Sequence, residues 1–295
     1  MNKTIQIYYT AVLGALGGLL GWWVIGSVQT GAWNVWLAYA LVGLGLGLGI
    51  GGCVAATDGA LIKCSLRRAL RDGLAGGAAG ALAGLAGLLL AEVGFLSIGG
   101  GLLGRTLGWM ALGGLIGLSD LLVNRRLNRA LYGALGGLAG GLLGGAFYEG
   151  LTQLFRAQSD RAQVVVGGVG LMLLGACIGA LIPLARQTFA RGELRVLNGE
   201  QAGLVREVSD TATIGRYDGC DLYLPDAAVA WRHALIRRTS QGFAVEVLPQ
   251  SEAGLTVGER RLAPGESAPL RGGERIWLGE TVVEFVGRGW GDCRS

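Results

Sequence analysis

His233 is the only histidine in the 295-residue chain, and its five cysteines, Cys53, Cys64, Cys177, Cys220 and Cys293, show no Cys-x-x-Cys or Cys/His spacing. Thiolate and imidazole metal sites need such clusters, so no metal is expected. No nucleophile stands in a recognisable pair with a base and no glycine loop has a phosphate-cradling pattern, so the chain reads as a binding protein without a cofactor and not as an enzyme. Two sets of polar residues remain. Glu92, Asp120 and Glu149 lie within or near apolar runs, where an acidic group marks a transport path only if it sits deep in the membrane. The second set is C-terminal: Gly215-Arg216, Ala230-Trp231-Arg232-His233 and Glu252-Ala253-Gly254.

The elements that must position these residues differ sharply along the chain. Residues 1 to 190 hold 41 of the 56 glycines but only 18 of the 46 Asp, Glu, Lys and Arg residues. This glycine is not collagen, since no G-X-Y period exists, and it is not linker, since Leu, Ala, Val and Ile surround it. Six apolar runs follow one another: Ile5 to Val28, Ala32 to Ala56, Leu74 to Phe95, Leu107 to Leu122, Leu131 to Leu151 and Val164 to Ala185. Runs of about 20 residues match a hydrocarbon core of about 30 Å, so a six-helix transmembrane domain is expected over 1–190 and a water-soluble domain over 191–295. Lys3 ahead of the first run would suit a secretory signal, but the 24-residue length and the shared glycine pattern favour a retained helix.

Charge sets the expected orientation. With six crossings and both termini in the cytoplasm, ten basic residues face inward (Lys3, Lys63, Arg67, Arg68, Arg71, Arg125, Arg126, Arg129, Arg186, Arg191) and three outward (Arg105, Arg156, Arg161). The positive-inside rule favours this arrangement and places Trp22, Trp23, Trp33 and Trp36 at the outer interface. The net +4 is thus a record of topology and gives no reason to expect nucleic acid. Cysteines of odd number and irregular spacing suit a reducing compartment for the soluble part.

Glycine spacing carries the packing. Gly133, Gly137, Gly141 and Gly145 form one row and Gly136, Gly140 and Gly144 the next; Gly76, Gly80 and Gly84, Gly43, Gly47 and Gly51, and Gly14 with Gly18 repeat the pattern. Small residues four apart let helix backbones touch, within a chain or between copies in a homo-oligomer. The stretch from Asp58 through Arg67 to Gly76-Gly77 resembles that from Asp120 through Arg129 to Gly136-Gly137, with Gln187 to Arg191 in a third place, so three related hairpins are expected. A tight structural bundle is one reading of the glycines; a channel or transporter is the other.

From Leu194 the pattern turns to short β-rich segments: Leu194 to Leu197, Gly203 to Val208, Thr211 to Ile214, Leu222 to Leu224, Ala234 to Arg238, Phe243 to Leu248, Gly254 to Val257 and Arg275 to Phe285. An all-β sandwich is expected. Ile214-Gly215-Arg216, Cys220-Asp221-Leu222, Val229 to Ala234, Glu252-Ala253-Gly254 and Leu270 to Ile276 with Leu278-Gly279 resemble the motifs of a forkhead-associated (FHA) domain over residues 194 to 287. The whole arrangement is similar to multi-pass bacterial membrane proteins with a C-terminal FHA domain.

The resemblance implies an eleven-stranded sandwich that reads phosphothreonine peptides with loops at one end. It implies that Arg216 contacts phosphate, that Gly215, His233 and Gly254 are structural, and that His233 braces a loop. The family's serine position holds Ala230 and its arginine position Trp231, with Arg232 beside them. Its backbone-gripping asparagine is Ala253, next to Glu252. Two ligand hydrogen bonds are thereby lost, each worth about 0.5–1.5 kcal/mol, or about 1.5–3 with a charged acceptor. The expectation is a membrane adaptor with a cytoplasmic protein partner, phosphorylated or not, and weak dependence on phosphate; Trp231 would anchor that partner.

Overall fold

A computed structural model describes residues 3–27, 34–57, 66–98, 101–124, 127–156, 158–240, 242–251 and 253–287. Trp33, Asp58, Lys63, Cys64, Arg125, Arg126, Glu252 and Cys293 lie outside the described residues. Thr4–Arg186 make one compact unit, and the chain from Gln187 onward belongs to a second.

The first unit is helical because a helix satisfies the backbone hydrogen bonds of a long apolar run within the run itself, an arrangement that is consistent with insertion into lipid. Its helices are α1 (Lys3–Ser27), α2 (Val35–Thr57), α3 (Leu66–Ile98), α4 (Gly101–Leu118), the short α5 (Asp120–Asn124), α6 (Leu127–Leu154) and α7 (Asp160–Phe189). Among the described residues five of these, all but α4 and α5, are long and apolar enough to cross a membrane. The 18 residues of α4 reach about 27 Å at about 1.5 Å per residue, near the core thickness. The fourth expected run, Leu107 to Leu122, is corrected: the helix starts earlier, at Gly101, and ends at Leu118, and a break at Ser119 separates it from α5.

Glycine joins these helices into a closed ring. α2 meets α3 where Gly43, Gly47 and Gly51 lie against Gly84, Gly80 and Gly76. α4 meets α6 in the same way, Gly113 on Gly137 and Gly117 on Gly133, and α7 meets α1 through Gly175 on Gly14 and Gly179 on Thr10. The three remaining contacts seat a large side chain's backbone on glycine: a Cβ on Gly21 would stand 3.0 Å from Leu46 Cα, one on Gly87 2.9 Å from Leu112 Cα, and one on Gly144 2.6 Å from Leu174 Cα. The unit is therefore a pseudo-threefold ring of helix pairs. Its interior is one cluster in which Leu46 and Ile50, Leu112 and Ile116, and Leu174 and Ile178 are each at most 4% exposed.

In the third place of the repeat, where Gln187 to Arg191 leads into the soluble domain, α7 pairs with α1, the first helix, which supplies that pair's second glycine row. One feature of the expected repeat needs correction. The register shifts. Gly76 faces Gly51 and Gly133 faces Gly117, so Gly76 corresponds to Gly133 and not to Gly136. Glycines recur here at both three- and four-residue intervals, so sequence leaves a slip of almost one turn open.

The second unit is a β-sandwich of β1 (Gly192–Val196), β2 (Val205–Val208), β3 (Thr211–Gly215), β4 (Leu222–Tyr223), β5 (Ala234–Thr239), β6 (Gly242–Val247), β7 (Leu255–Val257), β8 (Arg260–Leu262), β9 (Ser267–Leu270), β10 (Arg275–Leu278) and β11 (Thr281–Gly287). One sheet runs β2-β1-β11-β10-β7-β8 and the other β4-β3-β5-β6-β9. Alternate residues point inward, so that Leu194, Ile214, Leu222, Ile236, Val245, Val247, Ile276, Val283 and Phe285 fill the space between the sheets. The expected single segment from Arg275 to Phe285 is corrected to two strands: Leu278 pairs with Thr281 across the two-residue turn Gly279-Glu280, with Gly279 at φ +63°. β8 and β9 were not expected from sequence.

Candidate functional site

The loops that join β3 to β4, β4 to β5 and β6 to β7 gather the residues singled out by sequence. Backbone hydrogen bonds zip the first two loops together: the N–H of Arg216 donates to Ala230 O at 3.0 Å, that of Tyr217 to Trp231 O at 2.7 Å, and that of His233 to Ile214 O at 2.9 Å. Gly215 permits this approach, because a Cβ there would lie 2.5 Å from Trp231 O and 2.9 Å from Arg232 Cα. Asp221 ties down the β3–β4 loop, its Oδ2 accepting from the Thr213 N–H at 2.8 Å and the Thr213 hydroxyl at 2.9 Å.

His233 is fully buried beneath the loops. Its Nδ1 accepts from the Ala230 N–H at 3.1 Å, so the neutral ring carries its proton on Nε2, next to the Gly254 backbone but without strict hydrogen-bond geometry. The imidazole thus spans the β4–β5 and β6–β7 loops. Burial pushes its pKa below the usual 6.5, the Gly254 backbone opposing only in part. In the β6–β7 loop the buried Ser251 hydroxyl donates to Ala253 O at 2.7 Å, and the Ala253 side chain is exposed. Glu252, which the sequence singles out in this loop, lies outside the described residues.

Arg216, Trp231 and Arg232 are exposed on this loop cluster. Trp231, 62% exposed, stacks on Tyr217, and the Arg232 guanidinium lies 5.4 Å from the Tyr217 ring centroid. Sequence reading missed Tyr217; its only signal was its place directly after Gly215-Arg216. The surface offers two guanidinium groups and a large aromatic face, with methyl groups at Ala230 and Ala253 where a hydroxyl and an amide would give hydrogen bonds.

The glycines named for helix packing all lie at contacts inside the first unit: Gly76, Gly80 and Gly84 against α2, Gly133, Gly137 and Gly141 against α4, and Gly140 and Gly144 against α7. Gly133 also lies under Arg186, whose Nη2 would be 2.8 Å from a Cβ there. Asp120 Oδ2 is 3.4 Å from that Nη2 and 3.3 Å from Arg129 Nε, so this acidic group is held between two basic ones at the helix end.

Residues 212–279 match the family model of the FHA domain. Among solved structures, an FHA domain studied for phosphothreonine-dependent interactions is 28% identical, with alignment over 32% of this chain and 94% of that one and a TM-score of 0.28. The FHA domain of an Arabidopsis thaliana protein is 24% identical over 33% of this chain and 86% of that one, TM-score 0.31. The FhaA FHA domain, crystallised with the intracellular domain of a second protein, is 25% identical over 32% and 98%, TM-score 0.28. A search of curated proteins found no match. The C-terminal unit contains an FHA domain, joined to a chain with several long apolar helices.

Proposed function

We propose that the chain is an inner-membrane adaptor or scaffold whose FHA domain recognises a protein partner in the cytoplasm, with little contribution from phosphothreonine. An FHA domain is a module for phosphoprotein interaction, and long apolar helices suit anchorage in a bilayer. The observation that carries the weaker phosphate dependence is the loop cluster itself: Arg216 and Trp231 stand exposed above the buried His233, while alanine occupies positions 230 and 253. A dianion leaving water needs several charge-assisted hydrogen bonds at once. Two missing bonds of about 1.5–3 kcal/mol each lower affinity by roughly two to four orders of magnitude. An exposed aromatic and a guanidinium, by contrast, are the side chains that most often anchor protein interfaces. The adaptor role is that of a binding protein and not of an enzyme.

The glycine rows support a scaffold over a conduit. They are consumed in helix contacts, and the interior of the ring is occupied by the buried leucine and isoleucine pairs. The deciding experiment is capture of partners from lysate with the 192–295 domain, with and without phosphatase treatment. Equal retention of a specific protein supports the proposal, loss after phosphatase makes the domain a phosphate reader, and no specific capture removes the adaptor role. Ion flux through liposomes carrying the full chain would instead favour a channel.

A further inference from the structure

The pseudo-threefold ring makes one departure from its own symmetry visible. Seven residues before Leu46, Leu112 and Leu174 stand Tyr39, Arg105 and Gly167, and five residues after Gly87 and Gly144 stand Glu92 and Glu149. The first pair of helices fills these places with Tyr39 and Glu92, and the second with Arg105 Nη1 3.6 Å from Glu149 Oε2. In the third pair the place of Tyr39 and Arg105 falls to Gly167, where a Cβ would meet nothing closer than Trp22 Nε1 at 3.8 Å. Beside it opens a cavity of about 460 Å³, lined by Gly167, Arg105, Glu149, Gln153, Arg156 and Gln163. That volume lies in the usual range of small-molecule sites, about 300–1,000 Å³.

The lining is rich in donors. Glu149 is 4% exposed and both its oxygens are engaged, Oε1 by the Trp109 indole N–H at 3.1 Å and Oε2 by Arg105. The Arg105 side chain keeps 57% exposure. Arg156 is exposed and pairs with no carboxylate among the described residues. Gln163 Nε2 donates to Arg156 O at 3.2 Å and Gln158 O at 3.3 Å, holding the turn from α6 to α7 at the cavity mouth. Two guanidinium groups against one neutralised carboxylate leave one positive charge, which calls for a monoanion with several acceptor oxygens. The cavity sits at the start of α4, the end of α6 and the start of α7, the depth of lipid headgroups for helices of this length.

We propose that this cavity binds a phosphate-bearing monoanion, either the phosphodiester headgroup of an anionic lipid or a soluble phosphodiester of similar size. Guanidinium groups match phosphate oxygens with paired, charge-assisted hydrogen bonds.

The test uses the full chain in phosphatidylcholine nanodiscs, titrated in one arm with phosphatidylglycerol and in the other with glycerophosphoglycerol, the soluble phosphodiester of the same headgroup, at constant ionic strength, binding being read by thermal shift. Saturable binding in either arm is expected, and the arm in which it occurs identifies the source. Arg156→Gln should weaken it by about ten- to a hundredfold, the worth of one hydrogen bond to a charged group. Gly167→Leu, whose Cβ would meet no atom nearer than Trp22 Nε1 at 3.8 Å, should abolish binding without loss of folded protein. Arg161→Gln, a cation outside the lining, should change little. The proposal is overturned if neither arm saturates, if Gly167→Leu binds normally, or if Arg161→Gln weakens binding as much as Arg156→Gln.

Discussion

The rings of Tyr217 and Trp231 stack with centroids 5.0 Å apart and planes 30° apart. This pairing gives the loop cluster a rigid aromatic face and leaves Trp231 62% exposed, with Arg232 over the other partner's ring. Aromatic pairs contribute about 0.5–1.5 kcal/mol beyond the area they bury. Trp231→Ala is therefore expected to lower partner affinity by about 2 kcal/mol or more, a typical hot-spot cost. The fold should lose less, since most of the ring faces solvent. Calorimetry with the captured partner and thermal unfolding of the same variant check both halves; equal affinity for variant and wild type would remove Trp231 from the interface.

Phosphate discrimination follows from the count of donors. The unmodified domain should bind generic phosphothreonine peptides no better than their unphosphorylated forms. Restoring the missing groups with Ala230→Ser and Ala253→Asn should raise affinity for the phosphorylated peptide by about 1.5–3 kcal/mol for each bond to the charged ligand. A clear gain on phosphorylation in the wild-type domain, lost in Arg216→Ala, would show that other donors replace the hydroxyl and amide.

What sequence made legible was set by how local each feature is. Gly215-Arg216 and His233 stand out because the FHA motifs are short and ordered along the chain. The Tyr217–Trp231 stack depends on two loops separated in sequence closing on each other, and neither residue's type announces it. β8 and β9 escape because both are short, Arg260–Leu262 being two-thirds arginine and Ser267–Leu270 carrying Pro269, which strands disfavour. The Gly279-Glu280 turn is hidden inside an alternating apolar run. In the first unit the packing face of each helix is written in glycine, but the pairing of α1 with α7 joins the two ends of the helical region, and only two glycines, Gly14 and Gly18, mark that face of α1 in the rows read from sequence.

Burial of His233 links stability to pH. Its pKa lies below 6.5 in the folded domain, so the unfolded chain binds more protons in the window beneath that value. The stability contributed by the neutral ring is fully present above about pH 6.5 and is lost as pH falls through the folded-state pKa, each unit of displacement amounting to about 1.4 kcal/mol. Unfolding midpoints of the isolated domain should fall between pH 7.5 and 5. His233→Gln, which retains an acceptor for the Ala230 N–H without titrating in this range, should flatten that slope; an unchanged slope would assign it to other groups.

Topology is open to single-cysteine labelling. A cysteine at Gln158, in the turn between α6 and α7, should react with impermeant reagent from outside the cell, and one at Ser240, in the β5–β6 turn, only from the cytoplasmic side. The opposite result at either position would invert the orientation deduced from the basic residues, and with it the side of the membrane from which the cavity near Arg156 is reached.

Glycine packing gives the last prediction. Gly137 lies against the Gly113 backbone, and a Cβ on Gly140 would stand 2.7 Å from Ile178 Cα. Backbone atoms cannot swing aside as a side chain does, so a substituent must push α6 away from α4 or α7, and overpacking of this kind costs about 1–3 kcal/mol or more. Lipid offers no hydrophobic drive to hold the displaced helices together. Gly137→Leu and Gly140→Leu should each reduce the yield of folded protein in detergent. Gly150 provides the control, because nothing lies within 4 Å of a Cβ there. Gly150→Ala should leave the yield unchanged or improve it, as alanine is favoured over glycine in a helix by about 0.5–1 kcal/mol. Size-exclusion profiles and thermal unfolding of the three variants decide the matter: normal stability in both leucine variants would mean that α6 turns its glycine rows toward lipid.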